Sequence, residues 1–226
     1  MKLTYLGHAS LAIELNGIHI IVDPFISGNE LASNINIDTL KADYILITHG
    51  HGDHVADAER IAKNTGATIV SNFEIVNWFS LKGIQGHPMN HGGKWKFNFG
   101  FVKYVNAIHS SSMPDGTYGG NPGGFVIWNE DICFYIAGDT ALTEDMKTIP
   151  QTCPKLDFAV LPVGDNFTMG YEDACIASDY LLCNKIIAYH YDTFGYILVD
   201  KTKALKTFTS ANKELIFPEI GSSIEF

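Results

Sequence analysis

Arginine is almost missing from this chain: Arg60 stands alone, and 15 basic residues face 25 acidic ones for a formal charge of −10. A protein that grips a phosphate backbone shows a basic stripe, and none is visible, so nucleic acid is not an expected partner. Cysteine is also scarce. Cys133, Cys153, Cys175 and Cys183 are scattered without a CxxC pair, which excludes a disulfide framework and leaves reduced core thiols as the expectation. No apolar run approaches the ~18–20 residues of a membrane span, so no membrane association is expected. The start, MKLTYLGHAS, lacks a long apolar h-region and a small-residue cleavage site. No signal peptide is therefore expected, and the expected location is the cytoplasm. A GxSxG elbow is absent, and so is any repeat at solenoid spacing.

What is present fits a compact globular chain. Of 226 residues, 46% are hydrophobic and 18% charged, enough for one substantial core and a single domain over 1–226. LTYL, LAIEL and HIIV near the start read as a small β-meander, with Asn16-Gly17 as a hairpin turn. FISGNELASNINIDTL (25–40) is polar without periodicity and reads as a surface loop. YILIT (44–48) is a fully apolar strand, of the kind buried on both faces. A helix is predicted over HVADAERIAKNTG with its stop at Gly66, and a second over NFEIVNWFSLKG. Residues 83–109 read as strands. SSSMPDGTYGGNPGG (110–124) reads as a loop inside the domain, because strands resume at once in FVIW and ICFYIAG. Strand and helix then alternate through DFAVLPV, EDACIASDYLLC, KIIAYH, KTKALKTF and ELIF. Two sheets covered by helices would satisfy this order, an α/β (α+β) class.

The densest chemistry lies at ITHGHGDHV (47–55). YILIT delivers His49 at its carboxyl end, where open α/β sheets tend to place their sites. Gly50 and Gly52 are expected to permit tight, strained turns, so that His49 and His51 converge on one point while Asp53 and His54 face another. Imidazoles with a carboxylate are the ligand set of Zn²⁺, Fe or Mn, and nitrogen-rich sites favour zinc. The competing explanation is a solvated turn with Asp53 as the N-cap of the next helix. Three further residues fall where apolar strands end: His109 after FVKYVNAI, Asp139 in ICFYIAGDT and His190 in KIIAYHYDTF. Any one would be weak evidence for a ligand. Together with the cluster they point to a metal.

The combination of HxHxDH, AIHSS, AGDT and AYHYDTF resembles the metallo-β-lactamase-fold superfamily of hydrolases. More closely, it is similar to the bacterial branch of metal-dependent hydrolases related to sugar-phosphate lactonases. GHAS, VDPF at 22–25, SNFE at 71–74, HPMN at 87–90 and GD-FTMG at 164–170 extend the resemblance over essentially the whole chain. It implies a four-layer αββα sandwich. It implies too that His49, His51 and His109 hold one metal, Asp53, His54 and His190 a second, and that Asp139 bridges them with a shared hydroxide as nucleophile. The ions would be two divalent cations, zinc first, with manganese or iron as alternatives. Asp23 matches an acidic position that organises the ligand loop rather than binding metal. Two dications, two carboxylates and a hydroxide leave roughly +1, which favours a small anionic ester, lactone or phosphodiester. Asp53 would also orient the attacking water and take its proton.

Other candidates carry less weight. His8 in GHAS matches a position near the site in similar proteins and is a candidate proton donor, or else a strand-end histidine satisfied by backbone. Asn72, Asp165 and Thr168 fall in motifs that line the pocket, although Asn72 can equally cap its helix. His19, His87 and His91 are expected at the surface or in structural roles, and Ser110–Ser112 are expected to shape the loop after His109. Competing functions are an iron-dependent redox enzyme of dioxygenase type, tRNA processing (against which the acidic balance argues), and a non-catalytic metal-binding module. Homo-oligomerisation stays open.

Overall fold

The computed structural model describes all 226 residues. The chain forms two compact units: Met1–Asn90, Ser110–Pro122 and Pro218–Phe226 make the first, and His91–His109 with Gly123–Phe217 the second.

In the first unit β1 (Lys2–Gly7), β2 (Ser10–Leu15) and β3 (Ile18–Val22) form the expected antiparallel meander. Asn16 and Gly17 turn it with φ of 53° and 77°, the left-handed pair that a tight two-residue hairpin demands. β4 (Tyr44–Leu46), β5 (Thr68–Asn72) and β6 (Gly86–Met89) extend the sheet in parallel. Between them run α1 (Gly52–Val55), α2 (Ala58–Thr65) and α3 (Phe73–Ser80). The single helix predicted from His54 is thus two helices, and the first starts earlier, at Gly52. Asp57 lies at the break. Its carboxylate accepts from the N–H groups of Ile26 and Ser27 and from the Ser27 hydroxyl, holding the loop that follows Asp23. Gly66 ends α2 as predicted, with φ 76° and its N–H on the Ala62 carbonyl.

The segment 25–40 is more than a surface loop. Asn29 and Asn36 cap two 3-10 turns, Glu30–Ala32 and Ile37–Thr39. Ile26, Ala32 and Ile37 join Ile45, Ile61 and Phe79 in the core of this unit. One turn is too short to show a period, which is why it reads as loop. Truncating a fully buried member such as Ile45 to alanine costs about 2–5 kcal/mol.

The second unit repeats the plan. β7 (Lys94–Phe97), β8 (Gly100–Asn106), β9 (Gly123–Trp128) and β10 (Cys133–Ile136) are antiparallel neighbours. After α4 (Ile149–Thr152), β11 (Phe158–Pro162), α5 (Tyr171–Tyr180), β12 (Lys185–Tyr189), α6 (Lys201–Ser210) and β13 (Glu214–Ile216) follow, and β10 to β13 pair in parallel. β11 is buried throughout, and Phe158 stacks on Phe134 at 5.0 Å, a contact worth about 0.5–1.5 kcal/mol beyond its area. The chain then returns to the first unit, where β14 (Ser223–Glu225), not anticipated from the sequence, pairs with β1. Each unit is therefore a seven-stranded sheet that is antiparallel in one half and parallel in the other. No helix is long and apolar enough to cross a membrane.

Candidate metal centre

The first unit gathers its candidates just beyond the carboxyl ends of β3 and β4. Asp23 follows β3 with φ 43° and His8 follows β1 with φ 53°, a backbone region that non-glycine residues rarely occupy. The buried Asp23 carboxylate accepts the Thr48 N–H at 2.8 Å on one oxygen. Its other oxygen accepts the Thr48 hydroxyl at 2.6 Å and lies 2.9 Å from His54 Nδ1. Burial pushes the Asp23 carboxyl up from its ordinary value, while the His54 ring and the Thr48 donors pull it down. Thr48 has one hydroxyl proton, spent on Asp23, so toward His49 Nδ1 at 3.0 Å it can only accept. Both rings thereby present Nδ1–H to an acceptor, which leaves Nε2 as the candidate ligand atom of each.

His49 Nε2 lies 3.0 Å from His51 Nδ1. Two nitrogens on one tetrahedral zinc, each ~2.0–2.1 Å from it, stand about 3.3–3.4 Å apart, close to this separation. His8, Asp53 and His54 form the adjoining group, with ligand atoms within 4.8 Å of one another. His8 Nε2 is 3.0 Å and His54 Nε2 3.8 Å from Asp53 Oδ2. The His49 and His54 rings, centroids 4.0 Å apart, join the two groups. Asp53 lies inside α1 and is not its N-cap, a position His51 takes without a side-chain bond. His8 is buried and addresses a carboxylate, so backbone alone does not account for it.

The second unit brings His109, Asp139 and His190 together. Asp139 Oδ2 is 2.9 Å from His190 Nε2 and 3.6 Å from His109 Nε2. Thr140 stitches two of these strand ends: its hydroxyl accepts the Ile108 N–H at 3.0 Å and donates to the Ala141 carbonyl at 2.7 Å. Gly138 bends the chain before Asp139 with φ 69°, and His190 itself sits at φ 54°. Asp165 and Thr168 form the turn beside them. Asp165 is exposed with φ 60° and accepts the Asn166 N–H, Thr168 donates to the Met169 carbonyl, and the Met169 N–H holds the Thr140 carbonyl. The Met169 bond ties this turn to the Asp139 loop.

The donor set fits metal ions: imidazoles with tautomers fixed from behind, carboxylates between imidazole nitrogens, and burial of His49, His54, Asp139 and His190. Asn72 caps α3 through Oδ1 and donates its amide to the Gly119 and Asn121 carbonyls, so its side chain is engaged in structure. His19, His87 and His91 are half-buried and lie in none of these groups. The sequence did not single out Thr48 and Thr140, although each stands directly beside a candidate ligand in THGH and GDT. Neither Gly50 nor Gly52 has positive φ, contrary to expectation. Gly50 is needed for space instead, since a Cβ there would meet Met113 Sδ at 2.7 Å.

Strand-end histidines on two such mixed sheets are the plan of the metallo-β-lactamase fold. The solved structure of Igni18, a metallo hydrolase from the archaeon Ignicoccus hospitalis, resembles this chain with a TM-score of 0.89 at 33% identity, over 100% of this chain and 98% of its own. The chain belongs to the family described as the beta-lactamase superfamily domain, whose model matches residues 2–190. A Flavobacterium johnsoniae protein named a metal-dependent hydrolase is 65% identical over 225 residues, covering 100% of both chains. One of the same name from Christiangramia forsetii is 62% identical over 226 residues, again covering both completely.

Proposed function

We propose that this chain is a cytoplasmic, metal-dependent hydrolase of small anionic esters, lactones or phosphodiesters. Two divalent ions, zinc first and manganese or iron as alternatives, would be held by these ligands: His49, His51 and His109 for one, Asp53, His54 and His190 for the other, with Asp139 shared. The observation that carries this assignment is the bracing of His49 by Thr48 and of His54 by Asp23, which turns two Nε2 lone pairs toward the ligand loop. Imidazoles buried, hydrogen-bonded and oriented in this way suit cation binding better than they suit a solvated turn. The relatives named metal-dependent hydrolases support a metal-dependent hydrolytic role.

Ions bound there would supply a water with its pKa lowered from ~15.7 toward ~7 and a Lewis acid for the scissile carbonyl or phosphoryl oxygen. The chain's own residues do the rest. Asp53 orients the attacking water and accepts its proton. His8, 3.0 Å from Asp53 Oδ2, fixes that carboxylate and gives the proton a second carrier. The positive balance of the loaded centre, roughly +1, selects an anionic substrate in an otherwise acidic protein.

Elemental analysis of the purified chain, followed by a screen of lactones, phosphodiesters, sugar phosphates and thioesters, tests this function. About two zinc or manganese ions per chain with turnover of one class is the expected result. A single iron with oxygen consumption would move the assignment to redox chemistry, and metal without any turnover to a binding module.

A further inference from the structure

We propose that Ser111 and Asn72 are positioning residues of the metal centre, linked in a hydrogen-bond relay that fixes the peptide between His49 and His51. The relay starts at Gly50, whose N–H donates to Ser111 Oγ at 3.1 Å. The Ser111 hydroxyl proton goes to the Gly119 carbonyl at 2.8 Å. That carbonyl also accepts Asn72 Nδ2–H at 2.8 Å, and the same amide reaches the Asn121 carbonyl at 3.3 Å. Asn72 Oδ1 closes the chain by accepting the Ile75 N–H at 2.9 Å, anchoring everything to the first turn of α3. Every polar atom of the Asn72 side chain is thus committed, and the residue is buried.

Three glycines make room for this relay. A Cβ on Gly50 would come within 3.1 Å of the Ser112 carbonyl, one on Gly119 within 2.5 Å of Ser111 Oγ, and one on Gly120 within 2.5 Å of Asn72 Nδ2. Real Cβ atoms do not approach as closely as 2.5 Å, and 3.1 Å is tighter than most, so the backbone at Gly119 and Gly120 is shaped around the two side chains and that at Gly50 is packed on the loop. The adjacent Ser110 Oγ lies 3.4 Å from His51 Nε2, on the far side of the ring from the nitrogen that faces His49. The loop after His109 therefore touches the ligand pair at the peptide between them and at one of the rings. Ligand spacing of this kind sets metal affinity, and outer partners of metal ligands typically contribute 10–100-fold.

The metal role rests on the assignment of His49 and His51 to one ion. The test uses the full chain in four forms: wild type, Ser111→Ala, Ser111→Thr, which keeps the hydroxyl, and Asn72→Ser, which keeps a helix cap but loses the amide donors. Hydrogen exchange at the Gly50 amide is measured in metal-free protein. Stepwise Zn²⁺ affinity and the visible spectrum of the Co²⁺-loaded chain follow. Exchange at Gly50 should rise roughly tenfold or more in Ser111→Ala and Asn72→Ser. One of two ions should bind about 10–100-fold more weakly with an altered Co²⁺ spectrum, the other should be unaffected, and Ser111→Thr should restore both. Unchanged Gly50 exchange overturns the relay. Unchanged affinities and spectrum with only a lower melting temperature, or equal weakening of both ions, overturn its metal role. A wild type that takes up no ion refutes the proposed function and the metal role together, while Gly50 exchange still decides whether the relay holds.

Discussion

The two units supply their candidate ligands in opposite ways. In the first, His49, His51, Asp53 and His54 lie on one short loop, and each ring nitrogen turned away from the ligand side has its own brace: Thr48 for His49, Asp23 for His54, Ser110 for His51. In the second, His109, Asp139 and His190 come from three separate strand ends and meet at a single carboxylate oxygen. The first half is built locally and redundantly, whereas the second depends on one atom. Loss of a brace should therefore weaken the first half by degrees, and loss of Asp139 should break the second outright.

The largest effect is expected from Asp139→Ala. Without the carboxylate, two imidazoles lose the group that both address, and the proposed shared ligand goes with it. Metal affinity should fall by more than the roughly 10–100-fold that outer partners command, and hydrolysis should fall with it. His109→Ala should do the same to a smaller extent. Elemental analysis after dialysis and kcat/KM on the substrate found in the screen would check both. Full metal occupancy and turnover in both variants would rule out the ligand assignment.

Asp23→Asn probes the other side of the comparison. It leaves one acceptor oxygen where there were two, so the Thr48 N–H and His54 Nδ1–H can no longer both be held, while every proposed ligand stays in place. One ion should bind about 10–100-fold more weakly, with the chain still folded and the other ion retained. Competition with a chelator measures this. A loss as complete as that of Asp139→Ala would mean that the first half is no more tolerant than the second.

This asymmetry also governs what could be read from the sequence. HxHxDH is legible because its ligands are contiguous, and His109, Asp139 and His190 because apolar strands end at each of them. The braces were harder to see. Thr48, Thr140 and Ser111 are ordinary hydroxyls whose importance lies in which atom they face, and spacing carries no trace of that. Gly50 serves close packing and not a positive φ, and in sequence a glycine needed for the one looks the same as a glycine needed for the other. Among the elements, the hairpin at Asn16-Gly17 and the stop at Gly66 followed from local chemistry. The α1–α2 break depends on Asp57 reaching back to Ile26, and β14 on pairing with residues more than 200 positions away, Lys2 with Glu225. Long-range contacts of that kind leave no local period.

Thiols offer a view of the second unit alone, because all four cysteines lie in it. Burial pushes the Cys133 thiol up to about 12 and raises Cys183 and Cys153 as well. At pH 8 only on the order of one Cys133 in 10⁴ would be thiolate even if reagent reached it, so labelling of the buried thiols requires opening of this unit. No thiol belongs to the proposed centre. If His109, Asp139 and His190 hold an ion as proposed, metal at ten times its dissociation constant should slow thiol labelling about tenfold, by stabilising the closed state. An ion that none of these three residues holds would leave the labelling rate unchanged. Alkylation kinetics with and without zinc, read by mass spectrometry, distinguish the two.

The smallest effect is expected outside either set of ligands, at Glu59. Hydrogen bonds from Lys63 at 2.6 Å and Lys82 at 2.8 Å hold its carboxyl below the ordinary 4.5. A depressed folded value means that the folded chain binds fewer protons than the unfolded one. The contribution is present above about pH 4.5 and is lost as pH falls through the depressed value. The side chain is 35% exposed, so water screens the pairs and the contribution stays below about 1 kcal/mol. Glu59→Gln should accordingly lower the urea midpoint slightly at pH 7 and leave it unchanged near pH 3. A gap that persists at acid pH would assign Glu59 a packing role in place of an electrostatic one. Metal affinity should not move at either pH, because neither lysine nor Glu59 touches a brace or a ligand.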